Sequence, residues 1–143
     1  MSSLALFASE LDTQLKNAHH ITLISHRTPD GDAFGSLEGM RGLLEKNHPH
    51  LTVEVVVPEE EQTDTHIVWI LGKTTPVLPV STDLILLLDT ALLSRTKVLP
   101  EDFQGYTMIS IDHHESFPEA VSGYRDSTAS SNTIILTEMA EML

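Results

Sequence analysis

The sequence predicts an α/β fold, an open and mostly parallel sheet with helices on both faces, and three observations carry that prediction. The runs DLILLLD from Asp83 and YTMISID from Tyr106 are continuously apolar, as strands covered on both sides are. The β-branched run ITLI at Ile21 is followed by a helical pattern and a second strand pattern, which makes a βαβ unit. Strands and helices alternate, and in sheets of that kind sites lie beyond the carboxyl ends of the strands.

In chain order, Leu4, Leu6, Phe7, Leu11 and Leu15 recur at largely helical spacing and predict a first helix ending before Ile21. A polar, glycine-containing loop follows the ITLI strand. Leu37, Met40, Leu43 and Leu44 then predict a helix that stops near Asn47 and Pro49, and LTVEVVV from Leu51 predicts the next strand. Pro58 to Val80 carries the acids Glu59 to Glu61, the apolar patch IVWIL and then two further prolines, and is expected to be a connection with one short helix. Gly123 to Arg125 is expected to be a short edge strand. Ile134, Ile135, Leu136, Met139 and Met142 predict a last helix, with Ser and Thr before it as N-cap residues.

At 143 residues the chain is the size of one domain, and its 41% hydrophobic and 20% charged residues are those of a folded, soluble protein. Its longest apolar stretch, Leu84 to Leu88, falls far short of the ~20 residues that span a bilayer, so no membrane partner is expected. The absence of cysteine excludes disulfides and thiolate metal sites and fits a cytoplasmic location. A net charge of −13, from 8 Lys plus Arg against 21 Asp plus Glu, repels long duplex DNA. An acidic protein can still bind phosphate through divalent cations, so any nucleic-acid substrate should be short and held by metal.

Three polar clusters fall where the sheet rule puts a site: His26, Asp30 and Asp32 after the ITLI strand, Asp89 ending LILLL, and Asp112, His113 and His114 ending MISI. Carboxylate oxygen together with imidazole nitrogen suits Mn²⁺, with Zn²⁺ or Fe²⁺ as alternatives. Clustered carboxylates repel one another when empty, and two ions about 3.5–4 Å apart relieve that and can promote in-line attack on phosphorus. Taken singly, a strand-end Asp89 is most often a cap or turn former, and Asp30-Gly31 most often a turn. Ser36 and the nearby glycines read equally well as loop and capping residues. His19, His20, His48, His50 and His66 lie outside the pattern and read as surface or core histidines.

The segment from His26 to Ser36 in SHRTPDGDAFGS resembles the first motif of the DHH phosphoesterases, LLLDTA resembles their second, and IDHHES carries the triplet that names the family. STASSNTIILTEMAEML is similar to the Ser/Thr-rich helix start that follows. The resemblance runs from about Ile21 to the C-terminus. The family includes RecJ-type single-strand exonucleases, nanoRNases that degrade very short RNA and pAp, cyclic-dinucleotide phosphodiesterases and inorganic pyrophosphatases, and PDGDAFGS is more similar to the nucleotide-cleaving branch.

The resemblance implies a hydrolase working by a two-metal mechanism on short oligonucleotides or nucleotides, with a pyrophosphatase or a non-catalytic nucleotide- or metal-binding module as alternatives. By resemblance His26, Asp30 and Asp89 hold one Mn²⁺, Asp32, Asp89 and His113 hold the other, and Asp89 and His114 are the catalytic pair. His114 faces the scissile phosphate and Asp112 is structural. Ser36, Ser130 and Ser131 are candidate substrate contacts. The family's fourth motif adds another metal-binding aspartate beyond the helix in which the sequence ends, and a C-terminal domain holds the rest of the substrate. Residues 1–143 are therefore expected to be a DHH domain incomplete at its C-terminus, binding one Mn²⁺ or none and showing little activity alone. The apolar face of the last helix, with Ile134, Ile135 and Met139, is expected to favour a homodimer.

Overall fold

The computed structural model describes residues 3–58, 72–98, 100–115 and 117–143. A five-stranded sheet, parallel throughout, lies at its centre. The elements are α1 (Leu4–Asn17), β1 (His20–Ile24), α2 (Gly31–Asn47), β2 (Thr52–Val55), β3 (Leu84–Leu88), β4 (Thr107–Asp112), β5 (Gly123–Arg125) and α3 (Asn132–Met139). Short 3₁₀ turns cover Leu93–Arg95, Pro100–Phe103 and Ala140–Met142. The predicted patch IVWIL at 67–71 lies outside the described residues.

Strand order is β2-β1-β3-β4-β5. The chain steps outward from β1 to β2, then returns past β1 to β3, so the order reverses between β1 and β3. Parallel crossovers are right-handed, and connections running in opposite directions must therefore pass over opposite faces. Among the described residues α2 lies in the first of these connections, and α1 and α3 pack on the same face, where Phe7, Leu11, Leu37, Met40, Ile135 and Met139 share one core. On the other face the covering residues, Phe103 with Leu93 and Val98, come from 3₁₀ turns and loops.

Every residue of β3 is buried, as its unbroken apolar run requires. Each such leucine stabilises the fold by roughly 1.5–3 kcal/mol relative to an exposed one. The strand that delivers Asp89 is thus the most firmly held part of the sheet. Asp83, just before it, accepts the backbone N–H groups of His19 and His20 at 2.7 and 2.9 Å and ties the entry of β3 to that of β1.

Two expectations about faces change. Leu6 belongs to the helical pattern of α1 yet is 53% exposed, because Phe7, Ala8, Leu11 and Leu15 make the buried stripe. In α3, Ile135 and Met139 are buried in the core while Ile134 is 43% exposed. Of the three residues named for the apolar face, Ile135 and Met139 therefore pack inside the domain, largely against α2, and Ile134 is at the surface.

Candidate metal centre

All three polar clusters meet at the carboxyl ends of β1, β3 and β4, in the crevice where the strand order reverses. That crevice is where open α/β sheets bind ligands, because adjoining connections leave in opposite directions there.

Asp89 is the hub. It follows the last residue of β3 with φ 61°, a left-handed conformation that aspartate tolerates better than most side chains. Its backbone N–H donates to the Ile111 carbonyl at 3.0 Å. The carboxylate is only 2% exposed. Its Oδ2 lies 3.2 Å from His26 Nε2, and its Oδ1 lies 3.0 Å from His113 Nε2.

Both histidines are oriented in the same way. His26 Nδ1 lies 2.8 Å from the Arg27 carbonyl, and His113 Nδ1 lies 3.2 Å from the Ala129 carbonyl. A carbonyl can only accept, so each Nδ1 carries its proton and each Nε2 is left to face the carboxylates. In the neutral ring this presents a nitrogen lone pair to a cation, whereas without metal a second proton on His26 Nε2 makes the hydrogen bond to Asp89.

The two aspartates of α2 are positioned by capping. Asp30 is the N-cap of α2, its Oδ1 accepting from the Ala33 N–H at 2.9 Å, and the same oxygen lies 3.9 Å from His26 Nε2. Asp32 in the first turn accepts the N–H groups of Asn132 and Thr133 at 2.9 and 3.0 Å, so it caps the start of α3 from another helix. Its Oδ2 is also 3.3 Å from His113 Nε2.

Electrostatics fit a cation site. Burial pushes the Asp89 carboxyl up, and repulsion from Asp32 adds to it. Burial also works to raise Asp32, but the two N–H donors at the start of α3 prevail and hold it below its ordinary value. His26 is raised to about 8, chiefly by its hydrogen bond to Asp89 and against the effect of burial. Asp89 Oδ1 is buried without a hydrogen-bond partner among the described residues. An orphaned buried oxygen costs about 1–3 kcal/mol, and here it sits among imidazole nitrogens and further carboxylates. His26, Asp30 and Asp89 place one donor atom each within 4.8 Å of one another, as do Asp89, His113 and His114. These residues fit a divalent metal.

Asp112 takes no part in that convergence. Its Oδ1 accepts from the His113 N–H at 2.8 Å and from His114 Nδ1 at 2.7 Å. His114 is thereby fixed with its proton on Nδ1 and its Nε2 left for a ligand, on a side chain that is half exposed.

The three serines fare differently. Ser36 is fully buried and bonded to Asn132, so no substrate reaches it. Ser131 is the N-cap of α3, its hydroxyl accepting from Ile134 N–H at 3.3 Å, and Ser130 is exposed in the turn before it. The residue that sequence reasoning missed is Asn132. In the amide orientation that satisfies all its neighbours, its Oδ1 accepts from the Asp89 N–H (3.2 Å) and the Ser36 hydroxyl (3.0 Å), and its Nδ2 donates to the Ile111 carbonyl (3.1 Å). Asn132 thus locks the backbone of the hub. Only its position after two serines at a helix start hinted at it.

A model described as the DHH family, N-terminal domain, matches residues 20–143. The chain belongs to the DHH family. The DHH match takes in every polar cluster described above, and DHH membership makes the protein a metal-dependent phosphoesterase at the level of the family. No curated protein sequence matches the chain. No helix among the described residues is long and apolar enough to cross a membrane.

Proposed function

We propose that this DHH domain is the catalytic part of a Mn²⁺-dependent phosphodiesterase or phosphatase acting on short oligonucleotides or nucleotides, as the nanoRNases and RecJ-type exonucleases do. The observation that carries the reading is Asp89, buried and set between His26 Nε2 and His113 Nε2 at 3.2 and 3.0 Å. A mixed donor set of carboxylate and imidazole favours Mn²⁺ over Mg²⁺. The net charge of −13 disfavours long duplex DNA. The lack of cysteine supports a cytoplasmic location.

In this reading His26, Asp30 and Asp89 hold one ion, and Asp32, Asp89 and His113 hold a second. When bound, the ions supply positive charge for the phosphoryl oxygens and acidify water for in-line attack. The chain's own residues do the rest. The Arg27 and Ala129 carbonyls orient the two imidazoles, and Asn132 holds Asp89 in its left-handed conformation. Asp112 accepts from His114 Nδ1 and so orients the ring, and a second proton on Nε2, making the imidazolium, is what would be donated to a phosphoryl oxygen or passed to the leaving oxygen.

The test is hydrolysis of bis-p-nitrophenyl phosphate, pAp and di- to tetranucleotides with Mn²⁺, alongside the Mn²⁺-induced change in melting temperature. Turnover and stabilisation that both disappear in Asp89→Ala support the reading. No turnover of any substrate, or turnover unchanged in Asp89→Ala, overturns it.

A further inference from the structure

Building on the phosphoesterase reading, we propose that Arg95 and Arg125 form an anion subsite beside the metal centre, which grips a second, non-scissile phosphate of a nucleotide substrate whose base rests on Phe117. A cavity of about 210 Å³ opens next to Asp89 and His114, and both arginines and Phe117 line it. Arg95 comes from the 3₁₀ turn after β3, and Arg125 is the last residue of β5. The two approach from either side of the strand end that carries His114, in register with the end of β4 through the pairing of Arg125 with Asp112.

What sets this pair apart is its place at the metal centre rather than its lack of ion pairs, which Arg27, Lys46, Lys73 and Lys97 share among the described residues. Carboxylates outnumber Lys plus Arg by 21 to 8, so an arginine here has many anions to choose from. Lys16 pairs with Asp12 at 2.9 Å, and Arg41 pairs with Glu38 at 3.3 Å. Arg95 and Arg125 form no ion pair with any described residue, and Arg125 Nε is buried with no hydrogen-bond partner among the described residues. A buried guanidinium donor left unmatched among the described residues is free to meet a ligand or water in the cavity. Asp89, Asp112 and Glu115 also line the cavity, and none of them forms an ion pair with either arginine among the described residues.

The turn bearing Arg95 is also held in place rather than loose. Arg27 donates from its backbone N–H to the Arg95 carbonyl at 2.6 Å and from its guanidinium to the Ser94 carbonyl at 2.8 Å. Arg27 follows His26, so the same short stretch orients a metal-facing imidazole and the subsite wall. Two guanidinium forks match phosphate oxygens geometrically, and arginine stays charged at every working pH. Phe117, 46% exposed at the cavity, offers a flat apolar face of the kind on which bases stack.

The subsite therefore selects substrates with a phosphate besides the one cleaved, and it predicts a readout that needs no metal and no turnover. Calorimetry in metal-free buffer should show AMP binding at least tenfold more tightly than adenosine. Arg95→Ala, on an exposed turn that tolerates it, and Arg125→Gln should each weaken AMP at least fivefold and leave adenosine unchanged. Phe117→Ala should weaken both. AMP binding no tighter than adenosine, or AMP affinity unchanged in both arginine variants, overturns the subsite. Because these measurements use no Mn²⁺ and no hydrolysis, their failure is separate from failure of the phosphoesterase reading.

Discussion

The carboxylate of Asp89 faces His26, with Asp89 Oδ2 3.2 Å from His26 Nε2, while its other oxygen has no hydrogen-bond partner among the described residues. A buried carboxylate so placed stabilises a bound cation at the expense of the empty fold. Asp89→Asn keeps the left-handed backbone accessible, removes the charge and, above about pH 8 where the His26 pair no longer contributes, should leave the metal-free protein as stable as the parent or more so. The same substitution should abolish the rise in melting temperature on adding Mn²⁺. Thermal melts with and without Mn²⁺ check both halves.

The His26 pair gives the metal-free protein a pH signature. Its pKa rises from 6.5 to about 8 on folding, so the protonated form binds Asp89 more strongly in the native state. That contribution is complete below pH 6.5 and is lost as pH rises through about 8. Urea unfolding of the metal-free parent and of His26→Gln should differ most at pH 6 and converge near pH 9. A difference that is the same at both pH values refutes the coupling.

Metal stoichiometry should be unequal at the two positions. Asp32 already gives both oxygens to the N–H groups of Asn132 and Thr133, whereas Asp30 caps with one oxygen only. This 143-residue chain should therefore bind one Mn²⁺ tightly, at His26, Asp30 and Asp89, and a second at least tenfold more weakly. Titration calorimetry that finds two equal tight sites rules this out.

Asp32 is also a helix cap supplied from outside its helix. Asp32→Ala leaves the first N–H groups of α3 unmatched and should cost about 1–2 kcal/mol of unfolding free energy without metal. Asp32→Asn, which can still accept one of these bonds, should cost less. Denaturant titration of the pair distinguishes this from a role in metal binding alone.

Gly123 is the most closely approached glycine among the described residues. A Cβ there would lie 1.9 Å from the Ser110 carbonyl oxygen and 2.6 Å from its nitrogen, both main-chain atoms that cannot turn aside. Gly123→Ala should push β5 off β4 and destabilise the fold by about 3 kcal/mol. Circular-dichroism melts at fixed metal concentration test it, and a melting temperature near the parent's excludes it.

Much of the molecule was legible before the fold. Continuous apolar runs mark β3 and β4 because strands of a parallel sheet are covered on both faces, and apolar spacing marks α1 and α2 because a helix needs one buried stripe. His26, Asp30, Asp32, Asp89, His113 and His114 stand in the sequence at or just beyond strand ends, and their occurrence together, in that order, points to a divalent cation. What the chain does not display along its length is which separate segments meet. Strand order, and with it the crevice between β1 and β3, depends on long-range pairing, and so do the face taken by Ile135 and Met139 and the burial of Ser36. Asn132 reaches Asp89, 43 residues earlier in the numbering, only after α3 has packed beside α2. Arg95 and Arg125 line one cavity for the same reason: local periodicity reports a residue's own element, whereas a site is made by elements that folding alone brings together.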